Sequence, residues 1–149
     1  MEPYTGQLKE YKWKIEKTTS HRRGSDGNYE THYYCNDILT FDIETTSSFM
    51  LDDGTIIPYE KGHDSEYWNS LEAMALCYIW QFSVNDTVYY GRELTEFSAL
   101  LDDLPEEVYF IIWVHNLAFE FQFLLNIMEF KNIFARSPHK PMKAIPKRW

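Results

Sequence analysis

The sequence predicts an α/β domain, and four observations predict it. Leu39, Phe41 and Ile43 alternate with Thr40, Asp42 and Glu44, as in a strand with one apolar face. Ala73 to Val84 carries Met74, Leu76, Tyr78, Trp80 and Phe82 at period two, and Asn85-Asp86 leads into Thr87 to Gly91, the pattern of a hairpin. Val108 to Val114 is a near-continuous apolar run, as expected of a central strand buried on both faces. Asn116 to Met128 follows it with Phe119, Phe123, Leu124, Ile127 and Met128 at helical spacing. Strand, hairpin, helix, strand, helix is an α/β order.

The remaining elements follow from local chemistry. Tyr11, Trp13 and Ile15 alternate with Lys12 and Lys14 like a half-exposed strand, His21 to Asn28 reads as a polar turn, and Tyr29 to Tyr34 resumes an extended aromatic run. Residues 1–36 are expected to form a peripheral extension, and residues 37–149 the domain proper. Ser48 to Asn69 reads as a long irregular segment with Asp52-Asp53-Gly54 as a turn and Pro58 and Gly62 as breakers. Its acids, Asp52, Asp53, Asp64 and Glu66, are expected to be solvated loop charges. Thr95 reads as the N-cap of a helix with Phe97, Leu100, Leu101 and Leu104 on one face, ended by Pro105. Lys131 to Trp149 is basic and punctuated by Pro138, Pro141 and Pro146, with Ile133 to Ala135 as the start of a further strand.

With 149 residues, 44% of them hydrophobic and 17% aromatic, the chain has the size and apolar content of one cored domain. It lacks an apolar run long enough for a membrane span and a basic-then-apolar leader, so no membrane partner is expected and a cytoplasmic location is. Cys35 and Cys77 form no C-x-x-C pair and read as reduced, partly buried thiols. The net charge of -9 is unevenly divided. Residues 1–28 hold six Lys/Arg against four Asp/Glu, residues 29–130 two against nineteen, and residues 131–149 six against none. The basic tail suits phosphates, whereas the acidic middle repels them unless cations bind or a basic protein surface is the partner.

Asp42 and Glu44 carry the first chemical signal. Period two places both carboxylates on one face of the strand, opposite Leu39, Phe41 and Ile43. Like charges this close repel, and such a pair persists where a cation neutralises it; hard divalent ions prefer oxygen ligands. The pattern suggests an Mg²⁺ or Mn²⁺ site, although taken alone it is more often a solvated strand edge.

A second stretch, Trp113-Val114-His115-Asn116-Leu117-Ala118-Phe119-Glu120-Phe121-Gln122-Phe123, stands some seventy residues on. Together with Leu39 to Ser47 it resembles the first and second exonuclease motifs of family B DNA polymerases, most closely the protein-primed phage-type enzymes. The resemblance implies a ribonuclease H-like (DnaQ-like) mixed sheet with flanking helices and strand order 3-2-1-4. It implies a 3′-to-5′ exonuclease acting on the 3′ end of single-stranded DNA, encoded by a phage or mobile element and working in the bacterial cytoplasm. In that family the acids hold two divalent ions about four ångströms apart. Asp42 would bridge them, Glu44 would bind the first and Glu120 would support the second. Thr45 and Asn116 would contact the terminal nucleotide, Phe119 and Phe123 would stack on or wedge against bases, and His115 and Trp113 are further carried-over DNA contacts. The spacing of Phe119 and Phe123 equally suits a core-facing helix stripe, Asn116 an N-cap, and His115 a strand-end histidine.

Two departures from the family pattern stand out. Glu120 replaces the usual Asp of the second motif, one methylene longer. The third motif, Tyr-x-x-x-Asp, has no counterpart: no Tyr follows Tyr109 and no Asp follows Asp103. The resemblance covers about residues 36–145, a proofreading domain incomplete at its C-terminus, and loss of a ligand and of a water-positioning tyrosine implies reduced or lost activity. The alternative is a non-catalytic acidic protein whose residues 29–130 bind and inhibit a basic nucleic-acid-binding protein, such as a host defence (CRISPR-type) nuclease.

Overall fold

The computed structural model describes residues 1–23, 27–58, 73–137 and 140–147. In chain order they form β1 (Glu2–Pro3), a 3₁₀ turn (Gln7–Glu10), β2 (Ile15–Arg23), β3 (Tyr29–Cys35), β4 (Leu39–Leu51), β5 (Ile56–Pro58), β6 (Ala73–Val84) and β7 (Thr87–Gly91). Helix α1 (Leu94–Asp102), β8 (Val108–Tyr109), β9 (Ile112–Val114), helix α2 (Leu117–Leu124), β10 (Phe130–Ala135) and β11 (Pro141–Pro146) follow. This is a mixed α/β arrangement. The main sheet runs β1-β7-β6-β4-β5, with β9 also on β4. β4 pairs antiparallel with β6 and parallel with β9, and β6 pairs antiparallel with β7. Counting β4, β6, β7 and β9 as first to fourth, their spatial order is 3-2-1-4.

The alternation in β4 sorts its side chains as the sequence implies. Leu39, Phe41 and Ile43 are buried while Thr40, Asp42 and Glu44 face solvent. Phe41 stacks on Phe97 of α1 with ring centroids 4.0 Å apart, and Trp80, Phe82, Leu100 and Leu124 complete the core around them. Burying such aromatic and aliphatic side chains contributes about 1.5–3 kcal/mol each. The β6–β7 hairpin closes through Asn85 and Asp86, with Asn85 at φ 52°, a left-handed conformation that Asn tolerates.

Several expectations are corrected. α1 starts two residues earlier than expected: Glu93, not Thr95, is the N-cap, and the Glu96 carboxylate accepts the Arg92 and Glu93 backbone N–H groups at 2.7 and 3.0 Å. The Val108 to Val114 run is not one central strand buried on both faces. It splits at Phe110-Ile111, where the chain leaves the small β2-β3-β8 sheet for the main one, and β9 is an outer strand whose Trp113 is 65% exposed. The segment from Ser48 is ordered further than expected, because β4 continues to Leu51 and turns through Asp52, Asp53 and Gly54 into β5. Gly54 has φ 84°, so its lack of a Cβ suits the turn. Gly62, Asp64 and Glu66 lie outside the described residues. α2 ends at Leu124, sooner than the apolar spacing implies, because Ile127 and Met128 are carried by turns that pack on the same core.

The stretch read as a peripheral extension divides in two. β2 and β3 form a hairpin in the small sheet, whereas β1 pairs parallel with β7 and Leu8 is 1% exposed in the main core. A buried polar knot joins the two parts. Asp37 accepts the Lys14 backbone N–H at 2.8 Å, the Asn85 side-chain amide at 2.8 Å and the Tyr11 hydroxyl at 3.3 Å. Burial alone would raise the Asp37 pKa, but these hydrogen bonds together hold it below the ordinary carboxylate value.

A candidate carboxylate site

The site is built by strand register. Phe41 of β4 lies level with Val114 of β9, and the two strands run parallel. Asp42 is therefore one residue past the last paired position on β4, while the chain leaving β9 turns through His115 and Asn116 at the same end of the sheet. Asn116 is the N-cap of α2; its carbonyl accepts the Phe119 and Glu120 backbone N–H groups at 2.8 and 3.3 Å. Glu120, in the first turn of α2, is thereby swung back toward β4.

Glu120 is 3% exposed, and its Oε2 has no hydrogen-bond partner. Its pKa is raised, first by burial and then, against a stabilising contact from its own backbone N–H, by the charge and side-chain contact of Asp42; His115 acts weakly in the opposite direction. Two carboxylates in this relationship cannot both ionise cheaply without a proton or a cation between them. An orphaned, buried carboxylate oxygen beside a second carboxylate fits a hard cation.

The structure brings Asp42, Glu120 and His115 into one neighbourhood, but does not complete the expected trio. Among the described residues no group of three or more His, Cys, Asp or Glu side chains is gathered closely enough to hold a metal ion. Glu44 is exposed on the same strand, and the β4–β6 register breaks directly after it. Such an irregularity bends the strand locally. No family model matches this chain, and neither a curated protein nor a solved structure does.

The residues carried over as DNA contacts fall into two groups. Asn116 and His115 are exposed at the mouth of the carboxylate pair, and the Asn116 side chain makes no capping hydrogen bond, so its amide is uncommitted by the helix. Thr45 is half-buried on β4, level with Cys77. Phe119 and Phe123 are half-buried, pack against the core and lie 5.4 Å apart between ring centroids. They line the underside of α2. Cys35 is a free, half-buried thiol whose pKa burial pushes up, in keeping with an unreactive role. Sequence reasoning passed over Asp37, whose partners come from Lys14, Tyr11 and Asn85; nothing in the spacing of these residues announces the knot.

Proposed function

We propose that this chain is a ribonuclease H-like (DnaQ-like) 3′-to-5′ exonuclease domain that binds Mg²⁺ or Mn²⁺ and the 3′ end of single-stranded DNA. The observation that carries the reading is the approach of Asp42, on β4 just past the end of its pairing with β9, to the buried Glu120 carboxylate in the first turn of α2. The 3-2-1-4 order of β4, β6, β7 and β9 supports it, because that order delivers both acids to one sheet end.

Asp42 and Glu120 would hold the cation, with Glu44 as the further acid on the same strand face. A bound divalent ion supplies water activation and stabilisation of the leaving 3′ oxygen in phosphodiester hydrolysis. The chain's own residues supply placement. Asn116 presents an uncommitted amide to the sugar or phosphate of the terminal nucleotide, and His115 offers a ring donor beside it. Thr45 follows on β4, directly past the register shift after Glu44. Phe119 and Phe123, seated against the core, fix α2 and hence Glu120, so their contribution to DNA is a wall more than a stacking platform.

A second reading is favoured by the exposed acids. Asp42, Glu44, Asp52, Asp53, Glu106 and Glu107 all face solvent, which suits electrostatic docking onto a basic nucleic-acid-binding protein. One experiment separates the two. A 5′-labelled single-stranded DNA is incubated with the protein and Mg²⁺ or Mn²⁺, beside an Asp42→Ala/Glu44→Ala control. A ladder of shortened products that disappears in the control is expected; an intact substrate from folded protein under both metals overturns the nuclease and leaves the docking reading.

A further inference from the structure

We infer that the β10–β11 ribbon is an arm that grips the phosphate backbone of single-stranded DNA and stacks a base on Phe134. The proposal deepens the nuclease reading and rests on it for the identity of the strand being held. Lys131, Arg136, Lys140 and Lys143 all lie in residues 131–149, which contain no acid at all. All four are exposed, and none joins an ion pair among the described residues, whereas Lys147 is paired with Glu129. Lys131 and Lys143 on the two strands, with Arg136 and Lys140 at the connection between them, make a local positive field in a chain whose net charge is acidic.

Apolar groups are interleaved with this charge. Phe134 is 55% exposed and lies level with Lys143, whose ammonium stands 5.8 Å from the ring centroid. A solvent-facing ring flanked by a cation is the combination that single-strand binders use, a base stacking on the ring while the cation meets the adjacent phosphate. Burying Phe134 would have served stability alone; holding it out to water beside Lys143 serves a ligand with flat faces and negative charge.

The ribbon is also placed for this task. β11 packs against α2, and Phe130 at the start of β10 meets Phe121 with ring centroids 4.8 Å apart. α2 has 8 residues and spans about 12 Å, with Glu120 in its first turn. A strand gripped at the ribbon thus reaches the carboxylate pair within a few nucleotides. The acidic site itself repels DNA in the absence of cations, so attraction must come from an element outside it.

The test is fluorescence anisotropy of a labelled oligothymidylate titrated with the full chain in EDTA, over a range of NaCl concentrations. No cleavage occurs under these conditions, so the outcome is independent of whether the carboxylates catalyse. The quadruple variant K131A/R136A/K140A/K143A is expected to bind much more weakly and to lower the magnitude of the salt slope by about three, at about 0.7 per lost phosphate contact. Phe134→Ala alone is expected to weaken binding about tenfold with an unchanged slope. Lys143→Arg, which keeps the charge, should bind like the wild type. Asp42→Asn, which takes one charge from the repelling site, should bind the oligonucleotide in EDTA at least as tightly as the wild type even if it degrades nothing with metal. The proposal is overturned if the wild type leaves the anisotropy unchanged, if the quadruple variant retains affinity and slope, or if the ribbon's charges matter only for anionic phosphatidylserine vesicles.

Discussion

A Cβ built on Gly91 would lie 2.4 Å from the Trp80 indole and 2.4 Å from the Glu96 carboxylate. Trp80 is level with Gly91 across the β6–β7 pair, is fully buried, and donates its indole N–H to the Glu93 carbonyl at 2.8 Å. Gly91 is thus the place where β7 passes close enough to Trp80 for the ring to reach the start of α1. Gly91→Ala is expected to destabilise the fold by about 1–3 kcal/mol, read as a lower urea midpoint at an unchanged m-value. A midpoint equal to that of the wild type would mean that Trp80 and Glu96 give way without cost.

Phe97 is the central ring of the core, stacked on Phe41 and within 5.9 Å of both Trp80 and Phe82 between centroids. Phe97→Ala should cost about 3–5 kcal/mol, enough to consume much of the stability of a domain this size. Phe97→Leu keeps more volume and should cost clearly less. Thermal unfolding followed by near-ultraviolet circular dichroism reads both; equal melting temperatures for the two variants would show that retained volume contributes nothing and that the loss belongs to the ring's stacking.

Asp37→Ala leaves the Lys14 backbone N–H and the Asn85 amide without their carboxylate and should cost about 2–3 kcal/mol near neutral pH. The folded-state pKa of Asp37 lies below its ordinary value of 3.8. Its ionised form therefore stabilises the fold above that value, and the contribution is lost as pH falls through the lower folded value. Urea unfolding of wild type and variant should accordingly converge in strong acid. A gap that persists there would assign the loss to packing alone.

Glu120 has the opposite sign. Its folded-state pKa is raised above 4.5, so the unfolded chain releases the proton first and stability falls as pH rises from that value toward the folded one. Glu120→Gln removes the ionisable group at nearly constant shape, and the variant should melt higher than wild type at neutral pH, with the difference closing below 4.5. Mn²⁺ should raise the wild-type melting temperature and leave that of the variant unmoved, by preferential binding to the folded carboxylate pair. Parallel melting curves at every pH, with no response to Mn²⁺ in either protein, would count against both the buried charge and the cation site.

Much of the fold was legible where a single periodicity decided the outcome. Phe41 and Ile43 against Asp42 and Glu44 define both faces of β4, and the period-two run through Trp80 and Phe82 with Asn85-Asp86 after it defines the hairpin. Legibility failed where tertiary context competes. Val108 to Val114 is apolar throughout, yet Tyr109, Ile111 and Trp113 are exposed, because the run serves two sheets in succession and is outermost on the main one. Leu8 sits among polar neighbours with no periodic signal, and its burial follows from β1 pairing with β7, a partner far along the chain. Of the site, Asp42 was readable from the alternation in its strand, Glu120 only through the motif resemblance, and their approach from strands lying side by side. That Glu44 completes no trio with them among the described residues was not readable.

The pairing of β1 with β7 carries a consequence for synthesis. Glu2 and Pro3 align with Tyr89 and Tyr90, and the Tyr4 hydroxyl donates to Asp103 at 2.6 Å across a separation of 99 residues. β1 and Tyr4 therefore have no native partner until β7 and α1 have also left the exit tunnel. Leu8 stays solvated throughout that interval. Contacts of such long sequence separation form late and slow the whole folding reaction. β1 is thus fastened on the nascent chain later than the β2–β3 and β6–β7 pairs, whose partners lie close along the sequence.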